Sequence, residues 1–440
     1  MVAAVLRRMR LSLMCVVSMC ACMGSPDAMP WCSLEAPPPA DRSTPTPTWH
    51  AEAHAIVARK CTGCHASGGL APFELTTYAD VAIRKEAVRL AVETRAMPPW
   101  QADRCCNHYF EDRSLDDREY ATLLRFLNEG LPEGDPSTAA PVPSEQALLS
   151  RVDVTVTMPE EYVPNPPAGT DDNRCFLLDW PLEHEAFITG MAPRPGVRRE
   201  VHHVIIAAVK PSAVDAVQKL QDADPLPGFD CNGGLGDLRD VVVLGGSTQG
   251  GDFPRGLGTA VAKGSKLVLN IHYSTLGLTT VLPDRTSVDF KVDATARDAQ
   301  GAPIANPAWL IGDAMKVSAG DPDAVFFYKY KPRLLTGGKR VLLQGVTPHM
   351  HTFGSRITVR VLRASGERVC LLEIPKWRFG WEQPFWLAEE IPLEPDDELY
   401  VECHFDNSAA NQPLGQAPKD FAWGGDGQDM CAAFVSFVKS

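Results

Sequence analysis

Three groups of residues in this 440-residue chain are of types that bind metals. The first, "KCTGCH", sets Cys61, Cys64 and His65 in a C-x-x-C-H spacing. Two thiols so spaced can form thioethers to the vinyl groups of a haem while the adjacent imidazole becomes an axial ligand of its iron. A zinc or redox C-x-x-C is the competing reading, and it gives no reason for the histidine. A second axial ligand is offered by Met97 of "RAMPPW", on a segment stiffened by Pro98 and Pro99, with His108 the weaker substitute. Most methionines serve packing instead, which is the bland reading of Met97.

The other two groups lie further on, where five of the eleven histidines fall in strand-like surroundings. "GVTPHMHTFG" places His349 and His351 two apart, so a strand turns both imidazoles to one face. Met430 of "GGDGQDMCAAF" can add a thioether to this pair, and two imidazoles with a soft sulfur make an open site suited to copper. "REVHHVIIAA" and "LNIHYST" bring His202, His203 and His272, enough for a second, all-imidazole site. Adjacent residues on a regular strand face opposite ways, so His202 and His203 can share an ion only if the strand bends, bulges or ends there. Taken singly, each of these histidines is more commonly structural.

The elements that must position these groups change along the chain. From about Trp49 to Asp135 the pattern is helical, best seen in "SLDDREYATLLRFLNEG". There Ser114 and Asp117 have capping-box spacing, Leu123, Leu124 and Leu127 form one stripe, and Gly130 is a stop. Beyond Arg151, "VDVTVTM", "KLVLNIHYST", "SVDFKV", "RVLLQGV" and "RITVRVL" read as strands with turns between them, with little helical pattern. The expected architecture is multidomain, a small all-α domain followed by two tandem antiparallel β-sandwiches of jelly-roll type. Its boundaries are a signal peptide (1–24), a Pro-rich linker (25–48), a haem domain (49–135), a second linker (136–150) and two β domains (151–308 and 309–440).

A formal charge of −13 without a long basic cluster argues against a nucleic-acid partner. Three arginines precede a short apolar run in "MVAAVLRRMRLSLMCVVSMCACMG", the pattern of a secretory signal too short to span a bilayer. Cys20 and Cys22 are candidates for a lipid-anchored N-terminus, although the residues before them fit that poorly. Export makes disulfides permissible, and the expected location is the periplasm or outer surface of a bacterial envelope.

"VHHV", "IHY", "HMH" and "QDMC", in that order, resemble the copper type II ascorbate-dependent monooxygenases, which include peptidylglycine alpha-hydroxylating and dopamine beta-monooxygenases. The resemblance extends from about Val152 to the C-terminus and includes "FPRGLGTAVAKGSKLVLNIHY". It implies two copper ions, one held by His202, His203 and His272 for electron transfer. His349, His351 and Met430 would hold the other, where O2 and a small substrate meet. It also implies disulfides Cys403 to Cys431 and Cys175 to Cys231. Where peptide-processing members hold a substrate carboxylate with Arg, Asn and Tyr, this chain has Thr347, Ala432 and Phe434, so the substrate differs and the pocket is more apolar.

The C-x-x-C-H segment resembles cytochrome c-like segments fused to bacterial relatives, where "MPPW" also recurs. One covalent haem c in place of ascorbate would pass electrons from an external donor to the first copper, its tether raising the local donor concentration. The functional expectation is an exported monooxygenase that hydroxylates a C–H bond. The alternative is a non-catalytic haem and copper electron-transfer or copper-binding protein on the same scaffold. Cys105, Cys106, Cys370 and His404 receive no role from the sequence.

Overall fold

Runs such as Val201–Val209 and Lys266–Ser274 crowd β-branched and aromatic side chains, which pack best on a pleated surface, and strands form there. The computed structural model describes residues 43–67, 71–141, 148–166, 171–231, 241–247, 250–275, 277–310, 314–412, 416–424 and 429–440. In chain order the described strands are β1 Val154–Thr157, β2 Asp171–Asp179, β3 Ala186–Arg194, β4 Val201–Val209, β5 Phe229–Asp230, β6 Val241–Ser247, β7 Gly251–Asp252, β8 Leu257–Val261, β9 Lys266–Ser274, β10 Ser287–Asp293, β11 Arg297–Asp298, β12 Gln300–Ile304, β13 Ala324–Tyr330, β14 Val341–His349, β15 Gly354–Leu362, β16 Arg368–Ile374, β17 Phe385–Leu393, β18 Glu398–Phe405 and β19 Ala432–Lys439.

They make four small sheets. One runs β1-β10-β3-β8-β11 with β7 added to β3, and the next runs β5-β2-β9-β4-β6. The third is β12-β19-β14-β17 and the fourth β13-β18-β15-β16. Val156, Ile188 and Phe290 from the first sheet share a core with Phe176, Ile206 and Tyr273 from the second. Leu343 and Phe437 from the third share another with Val359 and Val401 from the fourth.

Helices are few and short: α1 (His54–Lys60), α2 (Tyr78–Ile83), α3 (Lys85–Glu93), α4 (Asp117–Asn128) and, between β4 and β5, α5 (Val214–Ala223). The capping box of α4 is Asp116 with Glu119, two residues later than the Ser114 and Asp117 spacing suggested. The Asp116 carboxylate accepts from the Glu119 N–H at 2.7 Å, and that of Glu119 accepts from the Asp116 N–H at 3.2 Å. Helix α5 went unread among strand texts, although Pro211 and the buried Val217 signal it.

The expected succession of an all-α domain and two tandem sandwiches is not what forms. Among the described residues the chain is mostly β, with 36% strand and 20% helix in four small sheets, and there is no clear all-α cytochrome domain. The physical reason lies in residues 97–112, which the helical pattern had absorbed. Trp49, Phe126 and Leu127 do cluster with the other helical side chains. Ala102 and Tyr109, however, are buried in the core of the third and fourth sheets, with Trp100 packed against it. Tyr109 forms an antiparallel bridge with Leu387, the Asp103 N–H donates to the Glu373 carbonyl at 2.8 Å, and Cys106 is bonded to Cys370.

In the β region the strand partners change over just before residue 300. β11 pairs with β8 while β12, one residue later, already pairs with β19. Arg255 reaches across, its guanidinium donating to the Gln344 side chain and the Leu387 carbonyl. Every described residue falls within one unit, Trp31–Ser440.

Disulfides join Cys106 to Cys370, Cys175 to Cys231 and Cys403 to Cys431 among the described residues, and Cys105 is disulfide-bonded too. No described helix is long and apolar enough to cross a membrane. Both features are compatible with an exported protein, since disulfides persist in oxidising compartments. The expected signal peptide, with Cys20 and Cys22, lies outside the described residues, as does most of the first linker.

Candidate metal centre

The adjacency of His202 and His203 is resolved by the backbone. β4 pairs with β9 through Val201 opposite Tyr273 and then His203 opposite His272, and the register slips between Val201 and His203. His202 is therefore the extra residue of a bulge, which re-aims a side chain that a regular strand would send to the other face. The Nδ1 atoms of His202 and His203 lie 3.3 Å apart. The His272 ring centroid is 5.0 Å from that of His202 and 4.9 Å from that of His203.

One ligand nitrogen from each of the three lies within 4.8 Å of the others. An ion with metal–nitrogen bonds of about 2 Å holds its ligands roughly 3–4 Å apart, so small ring rotations close the set. Burial, reinforced by the His272 and His202 rings and then by His349, holds His203 well below the ordinary imidazole range. It is thus neutral at pH 7, the form that ligates. The residues present fit a metal ion held by three imidazoles.

The second pair forms where β14 ends. His349 is its last residue and His351 lies just beyond, with ring centroids 5.1 Å apart and planes at 88°. The Nδ1 of His349 lies 2.8 Å from the Glu382 carboxylate, which orients the ring and leaves Nε2 for a ligand. Burial alone would lower the pKa of His349, but the Glu382 carboxylate outweighs it and holds the value above the ordinary range.

Asp429 ties this pair to Met430. Its buried carboxylate accepts from the backbone N–H of His351 at 2.6 Å, Phe353 at 2.8 Å, Gly354 at 3.1 Å and Met430 at 2.7 Å. Burial pushes this carboxyl up to about 6 against the pull of those N–H groups. One side chain thus fixes the backbone of the H-x-H turn and of the methionine together. Two imidazoles beside a thioether-bearing residue are a donor set that suits copper.

The two sites face one ring. Phe379, in a short turn between β16 and β17, has its centroid 5.7 Å from His272 and 5.6 Å from His351. Phe379, Glu382 and Asp429 were not identified as site residues from the sequence. For Asp429 a signal existed, since it stands inside the "QDMC" stretch.

Of the substituted substrate positions, Thr347 pairs with Phe434 and His349 with Ala432 across β14 and β19. His404 lies elsewhere, 2.6 Å from Asp323 and 3.2 Å from Glu402, in a polar cluster on β18.

In the C-x-x-C-H segment, α1 ends at Lys60 and a turn follows in which the His65 N–H donates to the Cys61 carbonyl at 2.9 Å. His65 is buried, and its Nδ1 lies 3.0 Å from the Phe73 carbonyl, so Nδ1 carries the proton and Nε2 is left to ligate. Burial, then the neighbouring Cys64 and Glu119, push the Cys61 thiol up to about 12. The residues on this side fit a covalently held haem.

The candidate axial partner on the far side is placed by a cavity of its own. Met97 lines a cavity of about 350 Å³ with Trp100, Tyr120, Arg378 and Trp381, whose walls include none of Cys61, Cys64 and His65. His108 is also removed from the role of substitute, since it is exposed and its carbonyl accepts from Ala388 in the pairing with β17.

No family model and no curated protein matches this chain. Among solved structures it is similar to the major capsid protein P2 of bacteriophage PM2, at 9% identity and a TM-score of 0.26, over 65% of this chain and 97% of that one. A putative secreted protein of Parabacteroides distasonis matches at 8% identity and a TM-score of 0.15, over 65% and 88%. The infectious bursal disease virus VP2 subviral particle matches at 10% and 0.17, over 69% and 76%. Likenesses this slight carry no argument about fold or function.

Proposed function

We propose that this chain is an exported copper-dependent monooxygenase that hydroxylates a C–H bond of a small substrate. The supporting observation is the juxtaposition of two histidine clusters of different make-up, one all-imidazole and one linked through Asp429 to Met430, on either side of Phe379. In this reading His202, His203 and His272 hold one copper, and His349, His351 and Met430 hold the other. Copper there supplies one-electron redox chemistry, one electron stored at each site. The overall reaction balances as substrate, O2, two electrons and two protons giving the hydroxylated product and water.

The chain's own groups have separable tasks in this reading. The bulge at His202 aims two consecutive imidazoles at one ion, and the buried neutral His203 needs no proton removed before ligation. Glu382 fixes the His349 tautomer, and Asp429 keeps the methionine beside the H-x-H turn. Electrons from an external donor would enter through a haem held by Cys61, Cys64 and His65. The apolar Ala432 and Phe434 point to a substrate without a carboxylate to be clamped.

The test is a screen of the copper-loaded, reduced protein against small apolar, amine and aromatic compounds under 18O2, with product mass analysis. One labelled oxygen atom should enter a product, and Met430→Ala should abolish the incorporation. A Met430→Ala variant as well coupled as the unaltered chain overturns the assignment. Oxygen uptake without labelled product in either protein favours electron transfer instead.

A further inference from the structure

The two histidine clusters belong to different sheets, yet one short span of chain touches both. It is the connection from Trp377 to Glu382, between β16 and β17. The Trp377 indole N–H donates to the His351 carbonyl at 3.1 Å. Phe379 lies in aromatic contact distance of His272 and His351 at once, within the 4.5–7 Å over which ring pairs attract. A Cβ at Gly380 would stand 3.0 Å from the Nε2 of His202, so the backbone abuts that ring. Glu382 receives His349 at 2.8 Å. Four of the six side chains in the two clusters are thereby held by six consecutive residues.

The same span is fastened to the segment that carries Met97. The Gln101 side chain donates to the Trp381 carbonyl at 3.0 Å and accepts from the Arg378 N–H at 2.5 Å. The Arg378 guanidinium donates to the Ala96 carbonyl at 3.2 Å, and Gln383 donates to the Pro99 carbonyl at 3.3 Å. These bonds come from residues 96–101, which the sequence placed in a separate domain. They fix the span to a second segment besides the histidines.

We infer that Trp377–Glu382 is a strap that sets the spacing of the two metal sites, with Phe379 as the positioning residue between them. This inference rests on the copper reading above. The ring fills the gap between His272 and His351, and the two centroid distances laid end to end keep those imidazoles within about 11 Å. Ring contacts on both neighbours resist relative drift of the two imidazoles, because packed side chains admit few alternative arrangements. An electron held at one site would then have a partner at a fixed distance. Removing the ring takes away both contacts, so the separation should widen or scatter.

The experiment compares the full-length, fully copper-loaded and oxidised chain with its Phe379→Ala and Phe379→Tyr variants. The readouts are copper per chain and the dipolar broadening of the Cu(II) resonance. With two coppers retained, Phe379→Ala should weaken the broadening by at least about a tenth while Phe379→Tyr preserves it, because dipolar coupling falls as the cube of the separation and packing around a site holds it to within about 0.5 Å. Unchanged broadening in Phe379→Ala with both ions bound overturns the strap and leaves the copper reading standing. Loss of broadening in Phe379→Tyr as well as in Phe379→Ala also overturns it, since the ring would then not be the spacer. Absence of copper from the unaltered chain overturns the copper reading, and the strap with it.

Discussion

Replacing Asp429 by Asn tests how the second site is assembled. The carboxylate accepts four backbone N–H groups, from His351 and Met430 on one oxygen and from Phe353 and Gly354 on the other. An amide of the same shape keeps one oxygen and turns an NH2 group toward two of those donors. Two charge-assisted bonds at about 1.5–3 kcal/mol each are lost, and relief from burying a charge returns part of that. The net cost is about 2–4 kcal/mol, and it falls on the backbone that carries His351 and Met430. The assay is urea unfolding together with metal analysis. The variant should unfold at lower urea and retain about one copper per chain in place of two. A midpoint equivalent to less than about 0.5 kcal/mol of change, with two coppers kept, would refute the idea that Asp429 builds the site.

Further outcomes bear on other parts. Gly380→Ala places a methyl 3.0 Å from the His202 Nε2, so the first site should bind copper at least several-fold more weakly in a competition titration while the second is unaffected. Hydrogen bonds from Arg174 hold Asp224 down to about 2. A lowered carboxyl pKa stabilises the fold above the unfolded value near 3.8, and that contribution disappears as pH falls toward 2. Asp224→Asn should therefore cost about 1–2 kcal/mol at pH 7 after screening and much less at pH 2, measured by denaturant titration. Changing Cys61 and Cys64 to Ser should remove the c-type signature from a pyridine haemochrome spectrum, and a signature that survives would refute covalent attachment there.

Much of the site was legible because metal ligation constrains residue type and spacing together. The doublet His202–His203 required a break in strand regularity, and the register slip lies at that point. The pair His349 and His351 announced a shared face by its spacing of two. What supports these groups was not legible. Phe379 and Glu382 belong to a connection without periodicity, and their meaning arises only when distant strands bring histidines to them. Asp429 is one acidic residue among many until its backbone partners are known.

The fold was legible strand by strand and misread as a whole. β9, β10, β14 and β15 follow the alternation seen in the sequence. The expected all-α domain did not close on itself because Trp100, Ala102 and Tyr109 are apolar in a way that suits either core. Local pattern says that a residue will be buried, and pairing partners such as Leu387 and Cys370 decide against what.

The central claim, two copper sites of different make-up in one chain, is tested most directly by metal analysis of the purified full-length protein after copper loading and removal of loosely bound ions. The account predicts about two copper ions per chain, falling to about one in a His202→Ala, His203→Ala double variant. A protein that takes up no copper, or binds zinc in its place, would contradict it.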